Sequence, residues 1–299
     1  MLVAKKENQR VEACDAVAGL DYLCPDAVCG GQLRLRKRNG YVPHFFHLGE
    51  ASCANEGESR EHETAKIELQ KNYRKRKIEA ELEVFWSDVA KLSGIQANEA
   101  TLQKIRAKNR RCDILLKKST IESKTSYFAI EVQSANLASS EFNDRIHDWN
   151  LIGVPIIWVA LLKQAWLKNV SKSGGSFTIE KTTLRDFEKQ MHRRYGHIWY
   201  FDPDSRNFHK GTFKPYLCYK NPSDYLDAGE MVQGGGFYYP SDRWIDLALE
   251  EPIPVSKIGL KQISKKEKNG AMSNIFDWCK LQDIEGDANE ENGAPPISQ

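Results

Sequence analysis

Apolar and polar positions alternate from Lys77 to Trp86, with Ile78, Ala80, Leu82 and Val84 set against Glu79, Glu81 and Glu83. A period of two predicts a half-buried strand. Two short apolar runs follow, Arg110–Leu116 and Tyr127–Gln133, joined by a polar, turn-rich link. They predict two neighbouring strands joined as a hairpin. Val154–Ala160 is apolar throughout apart from its Pro and predicts a strand buried on both faces. Helical spacing brackets these strands. Ala65, Leu69 and Tyr73 form one apolar stripe on a helix opening at Glu58–His62 and running to about Arg76. A second helix opens at Ser139–Ser140–Glu141 and ends at Ile152, before Gly153. The order helix, strand, strand, strand, helix, strand predicts an α/β core with a mixed sheet flanked by helices. Residues 87–107 read as loop or short helix. Beyond 163 the pattern weakens to a helix over 184–195, a strand at His197–Phe201, a return strand at Phe208–Phe213, and a strand after Gly234–Gly236.

The first 57 residues carry a different signal. Cys24 and Cys29 flank a Pro-containing turn and precede Gly30–Gly31. A short strand, an Asn39–Gly40 hairpin turn and a return strand lead to His44 and His47, and Cys53 follows. Zn²⁺ takes about four N or S ligands, and paired short spacings with a longer gap supply them. The expected structural zinc set is Cys24, Cys29, His44 and His47, with Cys53 or His62 open as a replacement for His44. The expected units are a zinc-binding hairpin segment, zinc-ribbon-like (1–57), the α/β core (58–165), an α+β C-terminal region (166–283) and an acidic, disordered tail (284–299).

Composition narrows the class. The chain has 299 residues, 40% hydrophobic content and a mean hydropathy of −0.58. The longest apolar stretch, around Leu151–Leu162, is broken by Gly153 and Pro155 and is too short to span a membrane. No signal-peptide pattern opens the chain, so a cytoplasmic location is expected. Seven scattered cysteines, an odd count, point to reduced thiols or metal ligands rather than a disulfide framework. Net charge is only +2, but basic clusters sit at Arg34–Arg38, Tyr73–Lys77 and Lys104–Arg111. That asymmetry is compatible with nucleic-acid binding by the N-terminal half.

The candidate chemistry lies on the central strands. Asp113 and Glu131 would project from adjacent strands onto one patch, where their repulsion is relieved most simply by a divalent cation. The motifs on either side follow a recognisable order: Cys24 and Cys29, Pro43–His47, Glu58–His62 with Lys66, Arg110–Leu115, Ala129–Ala135, Arg145 and Pro155–Val159. The series resembles the CoiA-like competence-protein family, which pairs an N-terminal zinc-binding segment with a PD-(D/E)XK restriction-endonuclease-like core. Arg193–Phe201 resembles that family's C-terminal part more loosely.

The resemblance implies a deoxyribonuclease in which Asp113 and Glu131 bind Mg²⁺ or Mn²⁺. Gln133 takes the position that the wider superfamily gives to Lys. Gln orients by hydrogen bonds but supplies no charge. Lys66 on the first helix is then the candidate cation, and Glu61 a candidate for reaching the metal through water. Arg110 and Arg111, with Arg36, Lys37 and Arg38, are candidate contacts to the phosphate backbone of DNA. The C-terminal region is a candidate for protein partners. The alternative is a non-catalytic nucleic-acid-binding or assembly module that keeps the nuclease fold.

Overall fold

The computed structural model describes residues 1–26, 28–49, 53, 58–92, 99–108, 110–119, 125–173, 176–262 and 279–283. The expected acidic tail and the tip of the hairpin between the two central strands lie outside the described residues.

The N-terminal stretch forms a five-stranded antiparallel sheet of β1 (Val3–Lys6), β2 (Gln9–Glu12), β3 (Tyr22–Leu23), β4 (Gln32–Arg36) and β5 (His44–His47), ordered β2-β1-β3-β4-β5. Its small core gathers Tyr22, Cys24, Leu33 and Phe45. Gly40 turns the β4–β5 hairpin at a φ of 76°, a left-handed conformation that glycine adopts without strain.

The chain then alternates helices and strands: α1 (Arg60–Lys75), β6 (Glu79–Phe85), α2 (Trp86–Leu92), α3 (Glu99–Lys108), β7 (Arg111–Ser119), β8 (Thr125–Gln133), α4 (Ser139–Leu151) and β9 (Ile156–Leu161). Of the two readings of 87–107, loop or short helix, the described residues take the second, as α2 and α3. β6, β7 and β8 pair antiparallel, whereas β9 returns parallel to β8 through α4. The remaining elements are β10 (Val170–Ser173), β11 (Ser176–Thr182), α5 (Asp186–Tyr195), β12 (Ile198–Asp202), β13 (Asn207–Lys220), β14 (Ser223–Asp227), β15 (Glu230–Gly234), β16 (Phe237–Leu249), β17 (Ile253–Pro254), β18 (Ile258–Gln262) and β19 (Cys279–Asp283).

One mixed sheet runs β10-β11-β16-β13-β12-β9-β8-β7-β6, with β17 on the side of β13. The boundary expected near 165 thus falls within a continuous sheet, because β12 pairs in parallel with β9. Strand periodicity explains why β9 is apolar at every position. Ile156, Trp158 and Ala160 face one core with Phe142, Ile146 and Trp149 of α4 and Phe187 of α5. Ile157, Val159 and Leu161 face the other, with Ala65, Leu69 and Tyr73 of α1. Truncating one of these buried residues, such as Leu69→Ala, costs about 2–5 kcal/mol. The sheet is sandwiched between α1 on one side and α4 and α5 on the other, which holds α1 over β7 and β8. Among the described residues, no helix is long and apolar enough to cross a membrane.

Candidate active site

Glu58, His62 and Lys66 recur every four residues, so they line one face at the start of α1 beside the apolar stripe of Ala65, Leu69 and Tyr73. Ser59 caps the helix, its Oγ accepting from the His62 N–H at 3.3 Å. Lys66 is fully buried. Its ammonium donates to Glu58 and, at 2.8 Å, to Glu83 Oε1, and lies 3.5 Å from Asp113 Oδ1. Arg111 donates to Glu58 at 2.8 Å and approaches Glu83 to 3.4 Å.

Glu83 is the residue that the strand alternation misplaces. The period assigns it to solvent with Glu79 and Glu81, yet it is 0% exposed. Its φ of 52° interrupts the regular pleat, and its Oε2 accepts from the N–H groups of Leu2 and Val3 at 3.0 and 3.2 Å. The β6–β7 register sets Leu82 opposite Ile114 and Val84 opposite Cys112, which brings Glu83 level with Asp113.

Asp113 stands where the β7–β8 ladder stops. Paired positions end at Ile114 and Ile130, and beyond them Asp113 Oδ2 accepts from the Val132 N–H at 2.8 Å. The same oxygen lies 3.1 Å from His62 Nε2. Glu131 on β8 is also buried but has a different partner, Arg145 of α4, at 3.2 Å. Arg145 further contacts Glu141 at 3.0 Å, and Arg110 bonds both Glu141 and Asp148.

These surroundings pull the two strand carboxylates apart electrostatically. Burial alone would raise the pKa of Asp113, but His62 and Lys66, with the Val132 N–H, hold it well below the usual carboxylate range. Burial pushes Glu131 up to about 7; Arg145 opposes the rise and the Asp113 charge adds to it. Burial would lower His62, yet Asp113 raises its pKa above the ordinary value. Lys66 is likewise raised, because Glu83, Asp113 and Glu58 outweigh its desolvation. Among the described residues, Glu58, His62 and Asp113 each offer a donor atom within 4.8 Å of the others, a set whose oxygens and imidazole fit a divalent cation. Glu131 is not part of that group.

Several expected site residues are placed elsewhere. Gln133 donates its amide to the Ala135 carbonyl at 3.0 Å. Glu61 is exposed on the first turn of α1, off the face that carries His62 and Lys66. Arg110 and Arg111 pair with internal carboxylates instead of standing free for phosphate. Arg36 lies over the Phe46 ring, Lys37 donates to the Ala16 carbonyl at 2.7 Å, and Arg38 is exposed. Lys66 is brought to the centre, as expected. Glu58 and Glu83 join this centre without having been expected there. The spacing of four through Glu58, His62 and Lys66 was a usable signal for the first, whereas nothing in the alternation marks the second.

In the N-terminal sheet, Cys24, Cys29, His47 and Cys53 have donor atoms within 4.8 Å of one another. Cys24 Sγ is 3.9 Å from Cys53 Sγ, and Cys29 Sγ is 3.3 Å from His47 Nε2. Zn–S bonds of about 2.3 Å at tetrahedral angles separate two sulfurs by about 3.8 Å, so this group could hold zinc. Burial pushes the Cys24 thiol far above its ordinary pKa. His44 stays outside the group, and Cys53 takes the fourth position. The reason is strand geometry: three residues apart on β5, His44 and His47 point to opposite faces. His44 Nδ1 instead lies 3.0 Å from the Val42 carbonyl oxygen and 4.0 Å from Glu63. His62 belongs with Asp113 and not with the cysteines.

Residues 90–216 match the family model of the competence protein CoiA nuclease-like domain. The match includes Asp113, Glu131 and Arg145 and begins after α1, so Glu58, His62 and Lys66 fall outside it. No curated protein and no solved structure matches the chain. The similarity to the competence protein CoiA nuclease-like domain thus covers residues 90–216, less than half of the chain.

Proposed function

We propose that the protein is a metal-dependent deoxyribonuclease with a PD-(D/E)XK-type core, in which Asp113 and Glu131 supply the acidic oxygens of the reaction centre. The observation that carries this reading is that two buried carboxylates stand on adjacent strands inside a segment that matches a nuclease-like family, Asp113 beside the buried Lys66. Bound Mg²⁺ or Mn²⁺ would supply Lewis-acid polarisation of the phosphate and a water of lowered pKa. The protein's own groups do the rest. Glu83 holds the Lys66 ammonium beside Asp113, giving the fixed positive charge that Gln133 lacks. Arg145 bridges Glu131 and Glu141 and offers a second cation at the opposite edge of the centre. Hydrolysis joins the water oxygen to phosphorus, breaks the phosphorus–sugar oxygen bond and delivers a proton to the departing oxygen. The zinc ion that Cys24, Cys29, His47 and Cys53 fit is structural, since four protein donors close its shell.

The test is cleavage of single- and double-stranded DNA across Mg²⁺ and Mn²⁺, with Asp113→Asn and Glu131→Gln as variants whose melting is checked in parallel. Each variant should lose at least about 100-fold in rate, the scale of several kcal/mol of lost transition-state stabilisation. Folded variants that cleave as fast as the parent would overturn the assignment. A parent that binds DNA but cleaves with neither metal would favour a binding module instead.

A further inference from the structure

We infer that His62 is itself a metal ligand, through Nε2 alongside Asp113, and that the centre therefore takes a transition-metal dication such as Mn²⁺ in preference to Mg²⁺. The inference deepens the nuclease reading: it depends on that reading for what the ion does, and on geometry alone for where the ion binds.

Three observations converge. The first is the donor set. Glu58, His62 and Asp113 come from the N-terminal end of α1 and the start of β7, and their donor atoms lie within 4.8 Å of one another. The second is the orientation of the ring. Nε2 faces Asp113 Oδ2 at 3.1 Å, while Nδ1 faces Glu58 Oε2 at 3.8 Å. The ring thus turns Nε2 to the Asp113 carboxylate, while the Glu58 approach at 3.8 Å is longer than a hydrogen bond. The third is charge. Four carboxylates (Glu58, Glu83, Asp113 and Glu131) face three permanent cations (Lys66, Arg111 and Arg145) across this centre. A ligating His62 is neutral, so the centre then carries one carboxylate more than its permanent cations, which favours a cation beside Asp113. Imidazole nitrogen suits transition metals, whereas Mg²⁺ prefers oxygen and gives up its waters reluctantly. As a metal ligand His62 was expected only in place of His44, yet its spacing of four from both Glu58 and Lys66 ties it to this centre.

The experiment is pulsed electron paramagnetic resonance on the full chain, zinc-loaded and titrated with Mn²⁺, with Mg²⁺ as competitor. The expected spectrum shows nitrogen modulation from a coordinated imidazole. That modulation should vanish in His62→Gln, with Mn²⁺ affinity falling about 10-fold or more and Mg²⁺ affinity changing little. Parent spectra already decide the matter if the variant fails to fold. Mn²⁺ bound without nitrogen modulation, or displaced by an equal concentration of Mg²⁺, would overturn the inference. Nitrogen modulation without DNA cleavage would uphold it and sink the nuclease reading alone. Cleavage without nitrogen modulation would do the reverse.

Discussion

The Cys24–Cys29–His47–Cys53 group takes its donors from one small sheet and its flanking turns, whereas the charged centre draws Glu58, His62 and Lys66 from α1 and its approach, Glu83 from β6, Asp113 from β7 and Glu131 from β8. They also differ in how they manage without an ion. In the first, burial keeps the Cys24 thiol protonated unless a cation sits beside it. The charged centre carries its own cations, and Lys66 alone contacts three carboxylates. Metal removal should therefore unfold the first region and leave the second standing. On the proposed reading, the first would use its ion for folding, whereas the second would be folded before an ion arrives.

The largest effect belongs to the first region. Stripping zinc, or the substitution Cys24→Ser, should melt β1–β5, because their core is small and structural zinc in such segments contributes on the order of 10 kcal/mol. Metal analysis should find zinc in the purified chain, and hydrogen exchange should show protection lost in β4 and β5 but kept in β7–β9. Unchanged protection in β4 and β5 after zinc removal would erase the contrast.

The second region should respond to loss of its internal cation rather than its ion. Lys66→Met leaves Glu83 buried without its main partner, and breaking a buried pair costs about 3–5 kcal/mol. Urea unfolding of zinc-loaded protein measures this directly. The double variant Lys66→Met with Glu83→Gln should recover much of the loss, since the orphaned charge is then gone. A single variant as stable as the parent would mean that Arg111 and the Leu2 and Val3 N–H groups suffice for Glu83.

A pH dependence follows from Glu131. Its folded-state pKa, pushed up by burial to about 7, lies above its unfolded value. Between about pH 4.5 and 7 the unfolded chain thus binds fewer protons than the folded one, and stability falls as pH rises. His62, also raised, adds to the fall: its contribution is fully present below its unfolded pKa and is lost as pH rises through the folded one. With zinc loaded and no other divalent ion present, the Glu131 part amounts to at most about 3 kcal/mol. Glu131→Gln should flatten that slope. A parent whose melting temperature rises over the same interval would contradict the assigned environment.

What was legible in the sequence follows the same divide. Local periodicity located α1, β6, β8, α4, β9 and α5, because each buries a face whose residues are close in sequence. Asp113 and Glu131 stood out as candidate site positions on the predicted strands, and Lys66 entered through the family resemblance. Periodicity did not foresee the hydrogen-bond partners of the two carboxylates, His62 for Asp113 and Arg145 for Glu131. Whether Asp113 meets Glu131 or His62 depends on where the β7–β8 ladder ends and on the packing of α1, and both are long-range facts. Glu83 was hidden for a related reason. A single positive φ turns it inward, and alternation counts residues without seeing backbone dihedrals.

The smallest expected effect is the sharpest check on the first region. His44 has the composition of a zinc ligand but the wrong strand parity, and Cys53 has the right position from outside the hairpin. His44→Ala should leave the zinc content unchanged and alter stability by no more than about 1 kcal/mol, because its ring makes one contact to a carbonyl and a long approach to Glu63. Cys53→Ala should lose zinc binding by a factor of 10 or more, on the order of one ligand's share. The two variants differ in distance along the chain as well as in chemistry: His44 lies three residues from a ligand and Cys53 lies six from the same one. If His44→Ala lost zinc and Cys53→Ala kept it, proximity in sequence would outrank strand parity here. The β5 register, which sets Leu33 opposite His47 and Arg36 opposite His44, would then have to shift by one residue to turn His44 inward.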